Sequence, residues 1–337
     1  MQISRRDMVL GLAASGLGMA GSGIDLAGPA WAGNHNSNAQ VSKGHVSKGW
    51  AFGSFWRLVT ADAQMAGVAK SVLDAIVDDV THSMSPYDST SELSRFNAAK
   101  TNDWLPMSGP SCAVVTEALR IARISQGAFD PTVGPLVARF GFGPIQGAVG
   151  RYDDIVVAPG ALRKRVPGLT LDLCGIAKGY ALDRIVAGLS QAGVENALIE
   201  IGGEVRALGM HPNGRAWKIG IADPLSNGAG VQRVVKPGIR ALATSGHAVN
   251  GVRAPVSISH IVNPQSGRPA HMTLASVSVL AVSGMEADAF ATALCAHGAR
   301  AGIDLAERLG ISALFVTDGS EAPLEVMTGG FDTHIEI

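Results

Sequence analysis

Asp288 and Thr292 stand four residues apart in Glu286-Ala287-Asp288-Ala289-Phe290-Ala291-Thr292, so on a helix they share one face. Both offer oxygen, the donor that a hard cation such as Mg²⁺ takes. An Asp in the first turn of a helix is also that turn's ordinary cap, and the residues alone leave both readings open. Upstream, Leu171-Asp172-Leu173-Cys174-Gly175-Ile176-Ala177-Lys178-Gly179-Tyr180 reads as a strand that ends in Gly and enters a helix with Lys178 in its first turn. An ammonium there opposes the helix dipole. It points to a nearby anion or carboxylate, unless the side chain runs out to solvent. Gly127-Ala128-Phe129-Asp130-Pro131-Thr132 gathers turn formers around one Phe and one Asp, and Asp130 alone would serve as a cap. His260 ends a strand before a turn, where a single His is most often structural. Familiar motifs fail: Lys178 precedes Gly179, so there is no P-loop, and Gly141-Phe142-Gly143 lacks the third Gly of a dinucleotide fingerprint. No G-x-S-x-G nucleophile elbow occurs.

The elements that must position these residues alternate in kind. Ala66, Val68, Ala69, Val72, Leu73, Ile76 and Val80 recur at helical spacing. A second helix is expected over 111–125, and Ser91 to Asn97 reads as a capping box or a short helix. Later helices fit 178–191, 286–296 and 299–309. Strand-like runs fall at 50–60, 169–173, 197–201, 217–221, 239–244, 277–282 and 313–317. Several are joined by short Gly/Pro turns rather than helices. That predicts an α+β fold with mixed, largely antiparallel sheets and flanking helices.

The chain has 337 residues and a formal charge of −1, which gives no net attraction for nucleic acid. At 47% hydrophobic it can bury a large core. Residues 1–32 have the three parts of a secretory signal: Arg5-Arg6, the apolar stretch Met8 to Ala20, and Ala30-Trp31-Ala32. Ser4-Arg5-Arg6-Asp7-Met8-Val9-Leu10 resembles a twin-arginine signal, so export to the periplasm is expected. Residues 33–48 read as a flexible leader, and 49–337 as the folded domain. Cys112, Cys174 and Cys295 fit no metal spacing, and their number does not select a disulfide.

Taken in order, the segments resemble the ApbE family of FAD:protein FMN transferases over roughly 50–335. They are Phe52-Gly53-Ser54-Phe55-Trp56, Ser85-Pro86-Tyr87, Ser91 to Asn97, Gly127 to Thr132, and Asp172 to Tyr180. Ile201-Gly202-Gly203-Glu204, Thr244-Ser245-Gly246, His260 to Pro264 with Gly267, and Ala287-Asp288 with Thr292 complete the set. The resemblance implies two intimately packed lobes with FAD in the cleft. Phe52, Tyr87, Ala128, Phe129, Asp130, Asp172, Lys178 and Ile261 would line that cleft. Asp288, Thr292 and the Gly175 carbonyl would hold Mg²⁺. The implied reaction moves FMN from FAD to a Thr or Ser hydroxyl of an acceptor protein and releases AMP. His260, whose ordinary pKa lies near neutrality, is the candidate base, with Asp288 the other catalytic residue.

The implied acceptor carries an FMN-binding domain, as a membrane-anchored electron-transfer subunit or a NosR-like regulator. The signal suggests the NosX type within the family. Two alternatives share the fold: an FAD pyrophosphatase with water as acceptor, and a non-catalytic FAD-binding maturation factor for a periplasmic respiratory system such as nitrous oxide reductase. The sequence departs from the family pattern at Phe52 (often Met), Ser54 (Thr), Cys174 (a small residue), Ala291 (sometimes acidic) and Asn263 (Asp). The last change puts weight on whether Asn263 can replace a carboxylate.

Overall fold

A computed structural model of the protein describes residues 44–226, 230–247, 258–320 and 324–336. The signal segment and most of the leader lie outside them. The strands are β1 (His45–Ala51), β2 (Ser54–Thr60), β3 (Leu105–Pro106), β4 (Ile155–Ala158), β5 (Ala161–Lys164), β6 (Ala197–Ile201), β7 (Glu204–Leu208) and β8 (Ile219–Ala222). They continue with β9 (Val231–Val235), β10 (Ala241–Gly246), β11 (Val262–Asn263), β12 (Arg268–Pro269), β13 (Leu274–Ala281), β14 (Ser312–Thr317) and β15 (Glu325–Thr328). The α-helices are α1 (Ala66–Met84), α2 (Glu92–Ala98), α3 (Gly109–Ile124), α4 (Gly134–Arg139), α5 (Ala177–Gln191), α6 (Gly284–His297) and α7 (Ala299–Leu309).

Eight strands form one sheet in the order β1-β2-β6-β7-β10-β13-β14-β15, and every neighbouring pair is antiparallel. Alternation puts Trp56 and Leu58 of β2, with Ile199 and Ile201 of β6, into the main core. Val59, Leu198 and Val205 face the other way, into a smaller core with Trp217, Ile219 and Phe331. Helix α5 packs on α1 and α6, and α6 lies on β10 and β13. A three-stranded sheet β3-β5-β4 and α3 make a second lobe, joined to the first through the same main core. The antiparallel α+β expectation therefore holds.

Four local expectations are corrected. His45–Lys48, read as leader, belong to β1, and the single strand expected over 50–60 is the hairpin β1–β2. Phe52 (φ 53°) and Gly53 (φ 70°) form its two-residue turn with positive φ at both positions. The stretch 169–173 is not a strand, although Leu169 makes one isolated bridge to Ala148. Its backbone groups are taken by other partners. The Asn97 amide holds the Leu171 N–H (2.7 Å) and C=O (2.8 Å), and the Asp172 N–H donates to the Pro131 carbonyl (2.6 Å). Lys164, fully buried, donates to the carbonyls of Phe96 (2.7 Å), Ala99 (2.7 Å) and Leu169 (2.9 Å), tying α2 to that stretch. Finally, α6 starts at Gly284, two residues before the expected start.

The crossing of α5 and α6 rests on two glycines. A Cβ at Gly179 would collide with the backbone carbonyl of Gly284 and stand 2.9 Å from the Asp288 Cβ. Gly179→Ala is therefore expected to destabilise the fold by about 1–3 kcal/mol through overpacking. Thermal unfolding checks this: the midpoint should fall by several degrees, and an unchanged midpoint would mean the crossing is not tight.

Candidate active site

The site is built where α5 and α6 meet the end of the sheet at the β6–β7 turn. Helix α6 has no cap from its own Ser283; Asp183 of α5 supplies it. Its carboxylate accepts from Gly284 N (2.8 Å), Met285 N (3.3 Å) and Ser283 Oγ (2.9 Å), and it is paired with Arg206 of β7. This frees Asp288 from capping. Sitting in the second turn and 2% exposed, it accepts from the backbone N–H of Gly179 (3.0 Å) across the crossing. The cap reading of Asp288 thus fails because the helix begins earlier than its sequence suggests.

Lys178, in the first turn of α5, forms an ion pair with Glu204, the first residue of β7. The anion expected near Lys178 is therefore Glu204. Asp288 is close enough to both to interact with their charges. Burial raises the pKa of Asp288 and of Glu204, the latter to about 8, while Lys178 pulls both down. Lys178 itself moves up, because the two carboxylates outweigh its own desolvation. Two buried carboxylates thus share one ammonium. Glu204 Oε2 is buried with no hydrogen-bond partner among the described residues.

Gly175 touches the next turn of α6. A Cβ there would sit 3.1 Å from Thr292 Oγ1 and 3.3 Å from the Phe129 ring. Ser245 Oγ, at the end of β10, lies 3.4 Å from Thr292 Oγ1. Gly175 and Thr292 are thus in contact, and Asp288 stands one turn before Thr292 on α6. Their donors are oxygen alone, the kind a hard cation takes; among the described residues no three His, Cys, Asp or Glu side chains gather into a metal-binding group. The crowding at Gly175 and the orphan oxygen of Glu204 fit a small hard cation beside an anionic group.

The remaining predicted residues surround this centre unevenly. Asp172 accepts from Cys174 N (2.9 Å), and burial raises its pKa. Tyr87, largely exposed, is near enough to Asp172 and Cys174 to feel their charges. Ala128 and Phe129 are buried in the wall. Asp130 closes its own turn, accepting from Thr132 N (2.8 Å), Thr132 Oγ1 (2.7 Å) and Tyr152 N (3.2 Å), so its carboxylate shapes the loop. Phe52 sits at the β1–β2 tip, next to the turn whose Gly202 N–H donates to Phe55 O (3.0 Å). A bulky residue with positive φ is strained, and such strain gathers at ligand sites.

Ile261 is buried and His260 half-buried, its ring edge-on to Phe142 at 6.1 Å. His260 Nδ1 is buried without a partner among the described residues, and desolvation pushes its pKa down to about 4, helped by the nearby charges of His247 and Lys178. Asn263 Oδ1 accepts from Gln265 N (2.9 Å) and Ser266 N (3.0 Å), closing the β11–β12 turn. A carboxylate oxygen would serve equally there, so the Asp-to-Asn departure leaves the turn intact. All three cysteines are free thiols.

Sequence reasoning did not assign Glu204 or Ser245 to the site. The signal for Glu204 was available: it opens a short strand, Glu-Val-Arg-Ala-Leu, directly after Gly202-Gly203. Pairing it with Lys178 required the topology that sets β7 beside α5.

The sequence profile of the ApbE family matches residues 52–315. The chain is 35% identical over 292 residues to the FAD:protein FMN transferase of Vibrio cholerae, covering 80% of this chain and 86% of that one. It is 31% identical over 297 residues to the FAD:protein FMN transferase of Escherichia coli K12, covering 81% and 84%. Among solved structures it is similar to the flavin transferase ApbE from Vibrio cholerae, with a TM-score of 0.76 at 32% identity, covering 86% of this chain and 98% of that one.

Proposed function

The chain belongs to the ApbE family, and we propose that it is an FAD:protein FMN transferase whose centre is the Asp288–Lys178–Glu204 cluster beside Thr292 and Gly175. One observation carries this reading: two buried carboxylates share the field of a single ammonium next to a hydroxyl and a crowded glycine, on α5, α6, the start of β7 and the turn before α5. Such a centre suits the pyrophosphate of FAD with a divalent ion.

In the proposed reaction a Thr or Ser hydroxyl of the acceptor attacks the flavin-side phosphorus. The new bond is oxygen to phosphorus. The bond from that phosphorus to the bridging oxygen breaks, and AMP leaves with its electron pair. The hydroxyl proton passes to His260. Asp288, Thr292 and the Gly175 carbonyl would hold Mg²⁺, which neutralises charge on the pyrophosphate when bound. Lys178 adds a fixed positive charge, and its pair with Glu204 holds it in place. Phe52, Tyr87, Ala128, Phe129, Asp172 and Ile261 would line the FAD cleft, and the Asp130 turn shapes its wall.

The twin-arginine-like start supports a periplasmic enzyme. Its acceptor would carry an FMN-binding domain in a membrane-anchored electron-transfer subunit or a NosR-like regulator. AMP release from FAD and Mg²⁺, followed with and without such a domain, tests the reading. Release should depend on the domain; equal release without it, with free FMN, would make water the acceptor and the protein a pyrophosphatase.

The pH behaviour follows from His260. Burial holds its folded pKa near 4, so it stays neutral, and able to take a proton, from pH 8 down to about 5. No acid limb near pH 6.5 is expected in the single-turnover transfer rate; a limb there would assign a less buried base. The unfolded chain takes up this proton near its ordinary pKa of about 6.5. Stability should therefore fall as pH drops from about 6.5 towards 4.

A further inference from the structure

His247 is 2% exposed and lies just beyond β10, its N–H donating to Ala275 O (3.3 Å). Its ring stands between two elements of the site. Nδ1 is 2.9 Å from Ser259 Oγ, and Nε2 is 3.8 Å from Cys295 Sγ. Ser259 and Cys295 are buried as well. Ser259 Oγ already accepts from the Ile261 N–H (3.0 Å), so its own proton is free to donate to His247 Nδ1. The ring also reaches the backbone carbonyls of Leu274 and His271, so it is held from more than one side. Cys295 lies one turn beyond Thr292 on α6, and Ser245, two residues before His247, touches Thr292. One imidazole therefore ties the metal-site helix to Ser259 and Ile261, the two residues that flank His260.

We infer that His247 is a positioning residue: through Ser259 it fixes the 259–261 segment against α6 and so sets where the His260 ring stands. Among the described residues the His260 Nδ1 finds no partner, so the segment rather than the ring sets its position. The inference rests on His260 being the base of the transfer reaction. A misplaced base costs roughly ten- to a hundredfold in rate, with binding spared.

The test is single-turnover flavin transfer and FAD affinity for His247→Ala, Ser259→Ala and their combination, each made with and without His260→Ala. With His260 present, each single variant should lower the transfer rate about tenfold or more, with FAD affinity within about twofold of wild type. The pair should be no worse than the worse single. His247→Asn, whose amide oxygen can still accept from Ser259, should recover most of the rate. In the His260→Ala background the same changes should cost nothing further. Equal losses in both backgrounds, or rates within about twofold of wild type for both singles, would overturn the inference alone. A His260→Ala enzyme at full rate would instead remove the base assignment on which it rests. Should His247→Ala not fold, Ser259→Ala, which removes one oxygen, and His247→Asn decide by the same comparison.

Discussion

Replacing Asp288 by Asn is expected to lower metal-dependent flavin transfer on the order of 10³-fold while the protein remains folded. Asn keeps an oxygen that accepts the Gly179 N–H, the one hydrogen bond Asp288 makes across the α5–α6 crossing. It removes the charge that would bind a divalent ion and that balances Lys178. Asp288→Ala should lose activity too, but it also leaves the buried Gly179 N–H unpaired, at about 1–3 kcal/mol of stability. The two variants therefore separate catalysis from folding. The measurement is AMP release from FAD in the presence of acceptor, titrated with Mg²⁺. Near-normal turnover of the Asn variant at saturating Mg²⁺ would move the metal site elsewhere.

The second large effect is expected at His260. His260→Ala should slow transfer by about 10²–10⁴-fold, the usual contribution of a positioned general base. FAD affinity should change little, because the ring packs on Phe142 and most of the cleft lining comes from other segments. Single-turnover transfer with a fixed acceptor, set beside FAD fluorescence titration, distinguishes rate from binding. A full transfer rate would exclude His260 as the base. Loss of binding in step with rate would make it a wall of the cleft.

The long helices were legible from apolar spacing: Ala66 to Val80 marked α1, and residues 299–309 matched α7. The antiparallel sheet followed from short turns between strands. Of the smaller lobe, α3 was legible as the helix expected over 111–125, but its sheet was not, because β4 and β5 have four residues each and Lys164, a charged residue at the end of β5, is fully buried by backbone carbonyls no sequence pattern shows. The stretch 169–173 looked like a strand for the same kind of reason in reverse. Its apolar run is real, but a side-chain amide at Asn97 takes the place of a neighbouring strand.

At the site, the four-residue spacing of Asp288 and Thr292 and the misplaced charge of Lys178 were both visible as oddities. Their ordinary readings gave way only when long-range contacts appeared. Asp183 caps α6 from another helix, and Glu204 meets Lys178 from a strand 26 residues on. Asp130 shows the opposite outcome: its carboxylate serves its own turn, as the local sequence alone suggested.

Transfer means that the FMN half of FAD ends on a protein hydroxyl. Intact-mass measurement of an FMN-binding-domain acceptor, after incubation with this protein, FAD and Mg²⁺, reads this out. The expected result is an added mass equal to FMN joined with loss of water, located on one Thr or Ser, and absent with Asp288→Asn. An acceptor of unchanged mass, with FAD converted to free FMN and AMP, would mean that water and not a protein hydroxyl takes the FMN.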